Sequence, residues 1–292
     1  MQRRNFLGAV AAPLLIARAS LAPLLEAQST APAVQRKGRL KQGVTMGVFA
    51  RGTSVEDACR EAARLGIKGF DLRGPADWPT LKKYGLVSSM YQPTAGASIP
   101  NGLNRKDNHA RIDQGMRAAI DESAAAGVPN IITFSGNRAG MADAEGADNC
   151  VAFLNNIKGY AESKGVTICM ELLNSRVNHR DYMFDHIAWG VDVMKRVNSP
   201  RVKILYDIYH AQIMDGDVVR SIKDNFQWIG HFHTGGNPGR HDIDESQELN
   251  YRFIAQAIVD LGFTGFLSHE YSPTAGNDAI AVLDKAIGIC DV

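Results

Sequence analysis

The sequence has little of what a nucleic-acid-binding or disulfide-stapled protein needs. Its 292 residues carry 32 Lys and Arg against 31 Asp and Glu, a formal net charge of +1. No basic block follows the N-terminal stretch, so the electrostatic footprint for a phosphate backbone is missing and nucleic acid is not an expected partner. Only four cysteines occur, Cys59, Cys150, Cys169 and Cys290, without Cys-x-x-Cys spacing. They read as buried apolar thiols. No Gly-rich phosphate turn follows the first strand pattern. That place is held by FARGTS, 49–54, which disfavours a doubly wound dinucleotide fold.

The first thirty residues stand apart. QRRNFLGAV (2–10) sets Arg3-Arg4 ahead of Phe6-Leu7, an apolar run continues to about Ile16, and small-residue sites follow up to Ala27. This is the pattern of a cleavable twin-arginine export signal. The run is broken by Pro13 and Arg18 and is too short for a spanning helix. The expected division is a signal over 1–30, a polar leader over 31–42 and one domain over 43–292, in the periplasm and with no membrane contact beyond export.

Strand and helix patterns alternate through that domain. Short apolar runs at 44–50, 69–74, 86–92, 130–136, 166–172, 202–208, 228–234 and 265–271 read as strands. Helical patterns follow each of them, several ended by glycine as at Gly66 and Gly127. Runs without clean alternation suit strands buried on both faces. Eight such units predict a single (β/α)8 TIM barrel, with the active site at the C-terminal strand ends.

Four strands in the C-terminal half end in ionisable side chains: Glu171 in TICMELLN, Asp207 in KILYDIYHAQ, His233 in WIGHFHTGG and Glu270 in FLSHEYSP. One acidic strand end alone is ordinary helix-cap chemistry. Four converging on one barrel mouth make three carboxylates that repel one another unless a cation or a proton intervenes. Oxygen-rich ligation with one imidazole favours Mg²⁺ or Mn²⁺. Glu171, Asp207, His233 and Glu270 are therefore the expected metal ligands, and Glu171 and Glu270 the expected acid/base pair for proton transfer beside a carbonyl. Asn174, His210, His231 and Arg240 surround them in sequence and are the expected substrate-binding groups, Arg240 as a fork for a carboxylate or charged oxygen. For His210 and His231 the competing role is support behind the ligands.

The motifs MELLN, YDIYHAQIMDGD, IGHFHTGG, NPGRH with ELNY, and GFTGFLSHEYSP resemble the hydroxypyruvate isomerase family of the xylose-isomerase-like barrel superfamily. The resemblance is densest over 169–273. It implies isomerisation of a small hydroxy-ketone/hydroxy-aldehyde pair, of the hydroxypyruvate to tartronate semialdehyde type, through an enediolate. By that resemblance Glu171 and Glu270 match acid/base glutamates that also touch the metal, and Asp207 matches a metal ligand. The chain departs from the family at His233, where the isomerases resemble one another in having glutamine and ketose epimerases have histidine. It departs again at Asp242-Ile243, where a Glu-Pro pair is usual, and in its export signal. A ketose 3-epimerase or related sugar isomerase is thus the alternative. An endonuclease IV-like phosphodiesterase needs more strand-end histidines than a total of eight supplies, and a non-catalytic sugar-binding barrel would not need the full ligand set. The expected partner is a small keto acid or sugar; a homo-oligomer is compatible with the sequence.

Overall fold

The computed structural model describes residues 33–292. In chain order the strands are β1 (Lys41–Val44), β2 (Gly69–Asp71), β3 (Val87–Met90), β4 (Asn130–Thr133), β5 (Thr167–Glu171), β6 (Val202–Asp207), β7 (Ile229–Thr234) and β8 (Phe266–His269). All pairings are parallel, in the order β3-β2-β1-β8-β7-β6-β5-β4. The ring closes between β3 and β4. There Tyr91 pairs with Ile131, its N–H donating to Asn130 O and its C=O accepting from Ile132 N–H, both at 2.9 Å. The fold is the expected TIM barrel.

The helices are α1 (Val55–Arg64), α2 (Trp78–Lys83), α3 (Lys106–Ala126), α4 (Asp143–Lys164), α5 (Ile187–Val197), α6 (Ile208–Met214), α7 (Val218–Asn225), α8 (Tyr251–Asp260) and α9 (Ala279–Cys290). Their ends obey local rules. Ser54 caps α1 by accepting from Asp57 N–H, and Gly127, at φ 73°, ends α3 in the left-handed conformation. The strands are buried almost throughout, as parallel strands covered by helices must be.

One local expectation is corrected. The first strand is 41–44 and not 44–50; Met46–Val48 form a short 3-10 turn instead. The apolar content of VTMGVFA misled, because packing space decides here. Gly43 lies so close to β8 that a Cβ would sit 2.2 Å from Ser268 Oγ, a fit only glycine allows. The described residues ahead of it pack against the barrel. Val34 N–H donates to Arg64 O, Arg36 pairs with Asp284, and the N–H groups of Lys37 and Gly38 donate to Asp291. A further short helix, α6, starts straight after β6, ahead of the helix that follows this strand. The expected export signal at 1–30 lies outside the described residues.

Candidate active site

Glu171 ends β5, Asp207 ends β6, His233 is the penultimate residue of β7, and Glu270 directly follows β8. Parallel strands in register carry these ends to one side; Asp207 and His233 are paired neighbours. Ligand atoms of all four lie within 4.8 Å of one another. His233 Nδ1 is at the centre, 2.6 Å from Glu270 Oε2, 3.3 Å from Glu171 Oε1 and 3.9 Å from Asp207 Oδ2. The cluster opens into a cleft of about 310 Å³ lined by Thr45, Met46, Asp71, Arg240, Glu270 and Tyr271, among others.

The residues fit a divalent cation. His233 Nδ1 is buried and makes no aligned hydrogen bond, although Glu270 Oε2 is only 2.6 Å away. The short separation without alignment is the crowding of groups that face one point. Around that nitrogen stand three carboxylates, the donor set for Mg²⁺ or Mn²⁺.

Arg240 supplies positive charge next to the cluster. Its Nη2 donates to Asp207 Oδ2 at 2.6 Å and to Glu270 Oε2 at 2.7 Å, and the guanidinium lies over the Tyr209 ring, 5.1 Å from its centroid. The backbone holds it tightly. Arg240 has φ 58°, its N–H donates to Gly236 O, and its C=O accepts from Ser272 N–H. Two residues on, buried Asp242 accepts from Thr274 N–H at 3.1 Å and Asn277 Nδ2 at 2.7 Å, tying the loop after β7 to the loop after β8.

Asp207 divides its oxygens. Oδ1 accepts from His210 N–H at 3.0 Å and so caps α6, while Oδ2 faces Arg240. The cap brings His210 to the cluster's edge. Asn174 N–H donates to His210 Nδ1 at 3.1 Å, which places the ring's proton on Nε2. Arg240 Nη1 lies 2.7 Å from that nitrogen, so two donors meet there. Asn174 is anchored by its own turn, its Oδ1 accepting from Val177 and Asn178 N–H.

Of the expected substrate-binding groups, Asn174, His210 and Arg240 are thus brought beside the cluster. His231 is placed elsewhere. It is fully buried in the barrel, and its Nε2 meets Asp71 Oδ2 at 2.6 Å. The period of two does put His231 and His233 on one face, but a turn of strand lower His231 reaches the interior and not the cleft. Asp71 was missed altogether. It also accepts from His233 Nε2 at 2.9 Å, and Ser89 Oγ donates to its other oxygen. A signal existed, since GFDLRG ends an apolar run in a carboxylate as three of the four recognised strands do.

Electrostatics separate the two glutamates. Burial pushes Glu171 up to about 7, with the charges of Glu270 and Asp207 adding and His233 opposing. Burial also raises Glu270, but His233 and Arg240 outweigh it and hold that carboxyl at about 2. His233 is disfavoured as a cation by burial, yet Glu270, Asp71 and Glu171 lift it well above the ordinary imidazole range. Burial and Arg240 push His210 well below that range. Two carboxyls with such different acidities can hold and accept a proton at the same moment.

Fold and cluster together define a (β/α)8 barrel with a carboxylate–histidine centre at its C-terminal mouth. The chain belongs to the xylose isomerase-like TIM barrel family, whose profile matches residues 59–286. It is 36% identical over 106 residues to a 2-oxo-tetronate isomerase of Cupriavidus necator, a match covering 35% of this chain and 40% of that one. A Mus musculus protein named "Putative hydroxypyruvate isomerase" is 26% identical over 245 residues, 77% of this chain and 87% of its own. The matches to the first of the curated relatives span about two fifths of their length. Among solved structures, an AP endonuclease, family 2, from Brucella melitensis superposes with a TM-score of 0.74 at 24% identity, covering 82% of this chain and 95% of that one. A D-psicose 3-epimerase from Clostridium cellulolyticum superposes at 0.68 and 17%, covering 87% and 100%. Identities this low speak for the fold alone.

Proposed function

We propose that the chain is a metal-dependent isomerase that interconverts a small hydroxy-ketone and hydroxy-aldehyde, of the hydroxypyruvate to tartronate semialdehyde type. The observation that carries this is the pair of glutamates, Glu171 and Glu270, set either side of His233 Nδ1 within one cluster of possible ligand atoms. A divalent cation held by Glu171, Asp207, His233 and Glu270 supplies the charge that polarises a carbonyl and its neighbouring hydroxyl oxygen. Glu270, ionised in the ordinary pH range, is suited to take the proton from the hydroxyl-bearing carbon. Glu171, on the other side of His233 Nδ1, is suited to return one to the adjacent carbon. An oxygen of the substrate placed between His210 Nε2–H and Arg240 accepts from both, which relieves the meeting of two donors. The cleft of about 310 Å³ is at the small end for ligand sites and suits a substrate of a few carbons. The names of the curated relatives support the same chemistry.

A ketose 3-epimerase is the second reading, favoured by His233 in the place where the isomerases resemble one another in having glutamine. It uses the same proton abstraction, with the proton returned to the same carbon from the opposite face. A panel of hydroxy-keto acids and ketoses, incubated with Mn²⁺ in D₂O and followed by NMR, separates these outcomes. Deuterium at the neighbouring carbon with a moved carbonyl marks an isomerase, and deuterium at an inverted carbon marks an epimerase. No exchange with any member would remove both. The proposal extends to location: Arg3-Arg4 and the apolar run behind them support export to the periplasm by the twin-arginine route.

A further inference from the structure

Beside the cluster, at the wall of the same cleft, lies a group that no part of the proposed chemistry uses. Asp71 is fully buried, an expensive location for a carboxylate unless donors surround it. Three do. His231 Nε2 and His233 Nε2 reach one oxygen, at 2.6 and 2.9 Å, and Ser89 Oγ donates to the other. The backbone is shaped to deliver it. The β2–β3 register shifts between Phe70 and Asp71, and Leu72, the next residue, has φ 61°, a conformation that is an outlier for a bulky side chain. Leu72 N–H donates to Met90 O at 2.7 Å, which locks the turn. A bulge with a left-handed residue re-aims a strand's last side chain, and here it aims Asp71 across the barrel at β7.

We propose that Asp71 is a positioning residue that fixes His233 as a metal ligand. With Nε2–H committed to Asp71, the ring cannot rotate about its Cβ–Cγ bond without leaving a buried carboxylate short of a donor. Nδ1 is thereby left as the lone-pair atom, and it points at Glu171, Asp207 and Glu270. The carboxylate also raises the basicity of the ring toward a cation, as outer partners of ligating histidines do. A second ion held by Asp71, His231 and His233 themselves is disfavoured, because their atoms are already in direct hydrogen-bond contact. The proposal rests on the metal reading of the cluster.

The test is metal affinity, not turnover. Mn²⁺ binding to the full-length chain is measured by titration calorimetry for the wild type, Asp71→Asn and Ser89→Ala, with melting curves to establish that each variant folds. Asp71→Asn keeps the size and one acceptor oxygen and removes the charge. The expected result is a dissociation constant about 10–100-fold weaker, with Ser89→Ala, which touches the same carboxylate from its far side, within about threefold of wild type. In ¹⁵N-histidine-labelled protein loaded with diamagnetic Mg²⁺, the His233 Nε2–H proton, assigned by its loss in His233→Gln, should lie far downfield and move upfield in Asp71→Asn. Unchanged affinity in Asp71→Asn, or an equal loss in Ser89→Ala, would overturn the proposal. If Asp71→Asn does not fold, the wild-type spectrum decides: a missing Nε2–H resonance overturns it too. A wild-type chain that takes up no Mn²⁺ would overturn the metal reading and this proposal with it, and that outcome is distinct from one in which wild type and Asp71→Asn bind alike.

Discussion

Arg240 and Asp207 share a hydrogen bond of 2.6 Å, and the same guanidinium nitrogen reaches Glu270 at 2.7 Å. Without an ion, Arg240 is the fixed positive charge that keeps three converging carboxylates tolerable. Removing one side of a buried charge cluster typically costs a few kcal/mol. Arg240→Gln should therefore lower the stability of EDTA-treated protein by about 2–4 kcal/mol and that of Mn²⁺-saturated protein by much less. Denaturant melts with and without Mn²⁺ check this. Equal losses in both would mean the arginine does not compensate the cluster.

Replacing Glu270 by Gln should separate chemistry from ligation. The amide keeps one oxygen for the cation and loses the base. Solvent exchange of the substrate's carbon-bound hydrogen should fall by about 10²–10⁴ at saturating Mn²⁺, while Mn²⁺ still binds. Asp207→Ala should instead lose metal affinity first and regain part of its exchange in excess Mn²⁺. Near-normal exchange in Glu270→Gln would leave the cluster as a binding or structural metal centre.

The raised pKa of Glu171 has a stability consequence in metal-free protein. Its carboxyl holds a proton to about 7, against an ordinary value of 4.5. Between those values the folded state binds more protons than the unfolded chain, so stability falls as pH rises through the window. The contribution is fully present below about 4.5, is gone above about 7, and amounts to a few kcal/mol at most. Glu270, held at about 2, acts in the opposite sense and below 4.5. Melting temperature against pH should therefore slope downward over the upper window in EDTA-treated wild type, and that slope should vanish in Glu171→Gln. A slope that survives the substitution would assign it to another group.

Export is tested apart from chemistry. Arg3 and Arg4 changed together to Lys should keep the protein in the cytoplasm and leave the purified domain's melting temperature and Mn²⁺ affinity unaltered. Fractionation of cells expressing each form gives the answer. Arrival of the double variant in the periplasm at the normal rate would remove the twin-arginine reading.

The parts of the molecule that were readable in advance share one property: they announce themselves locally. Glu171, Asp207, His233 and Glu270 each interrupt an apolar run, and burial makes such an interruption conspicuous. Helix ends were readable in the same local way, through glycines such as Gly127. What escaped depends on contacts between distant segments. The place of β1 is decided by the room Ser268 leaves beside Gly43, which no window around residue 43 contains. The short helix α6 is nucleated by the same Asp207 that was read only as a ligand; both roles are real because a carboxylate has two oxygens. His231 has the right period and the wrong depth, since alternation specifies a face and not a height along the barrel. Asp71 had the same local signature as the other four, but it stands in the N-terminal half, where no motif drew attention to it.

Gln42 beside His269 has a consequence in time. His269 Nε2 lies 2.9 Å from Gln42 Oε1, across 227 residues, and β1 pairs with no strand other than β2 and β8. A ribosome adding about 5–20 residues per second needs roughly 10–50 s to cover that interval. During it, one edge of β1 has no partner and the ring stands open. The clasp of Arg36, Lys37 and Gly38 onto Asp284 and Asp291 comes later still, with the last residues made. The barrel thus cannot shut until β8 has been made, and translation itself becomes the clock that sets when the ring is complete.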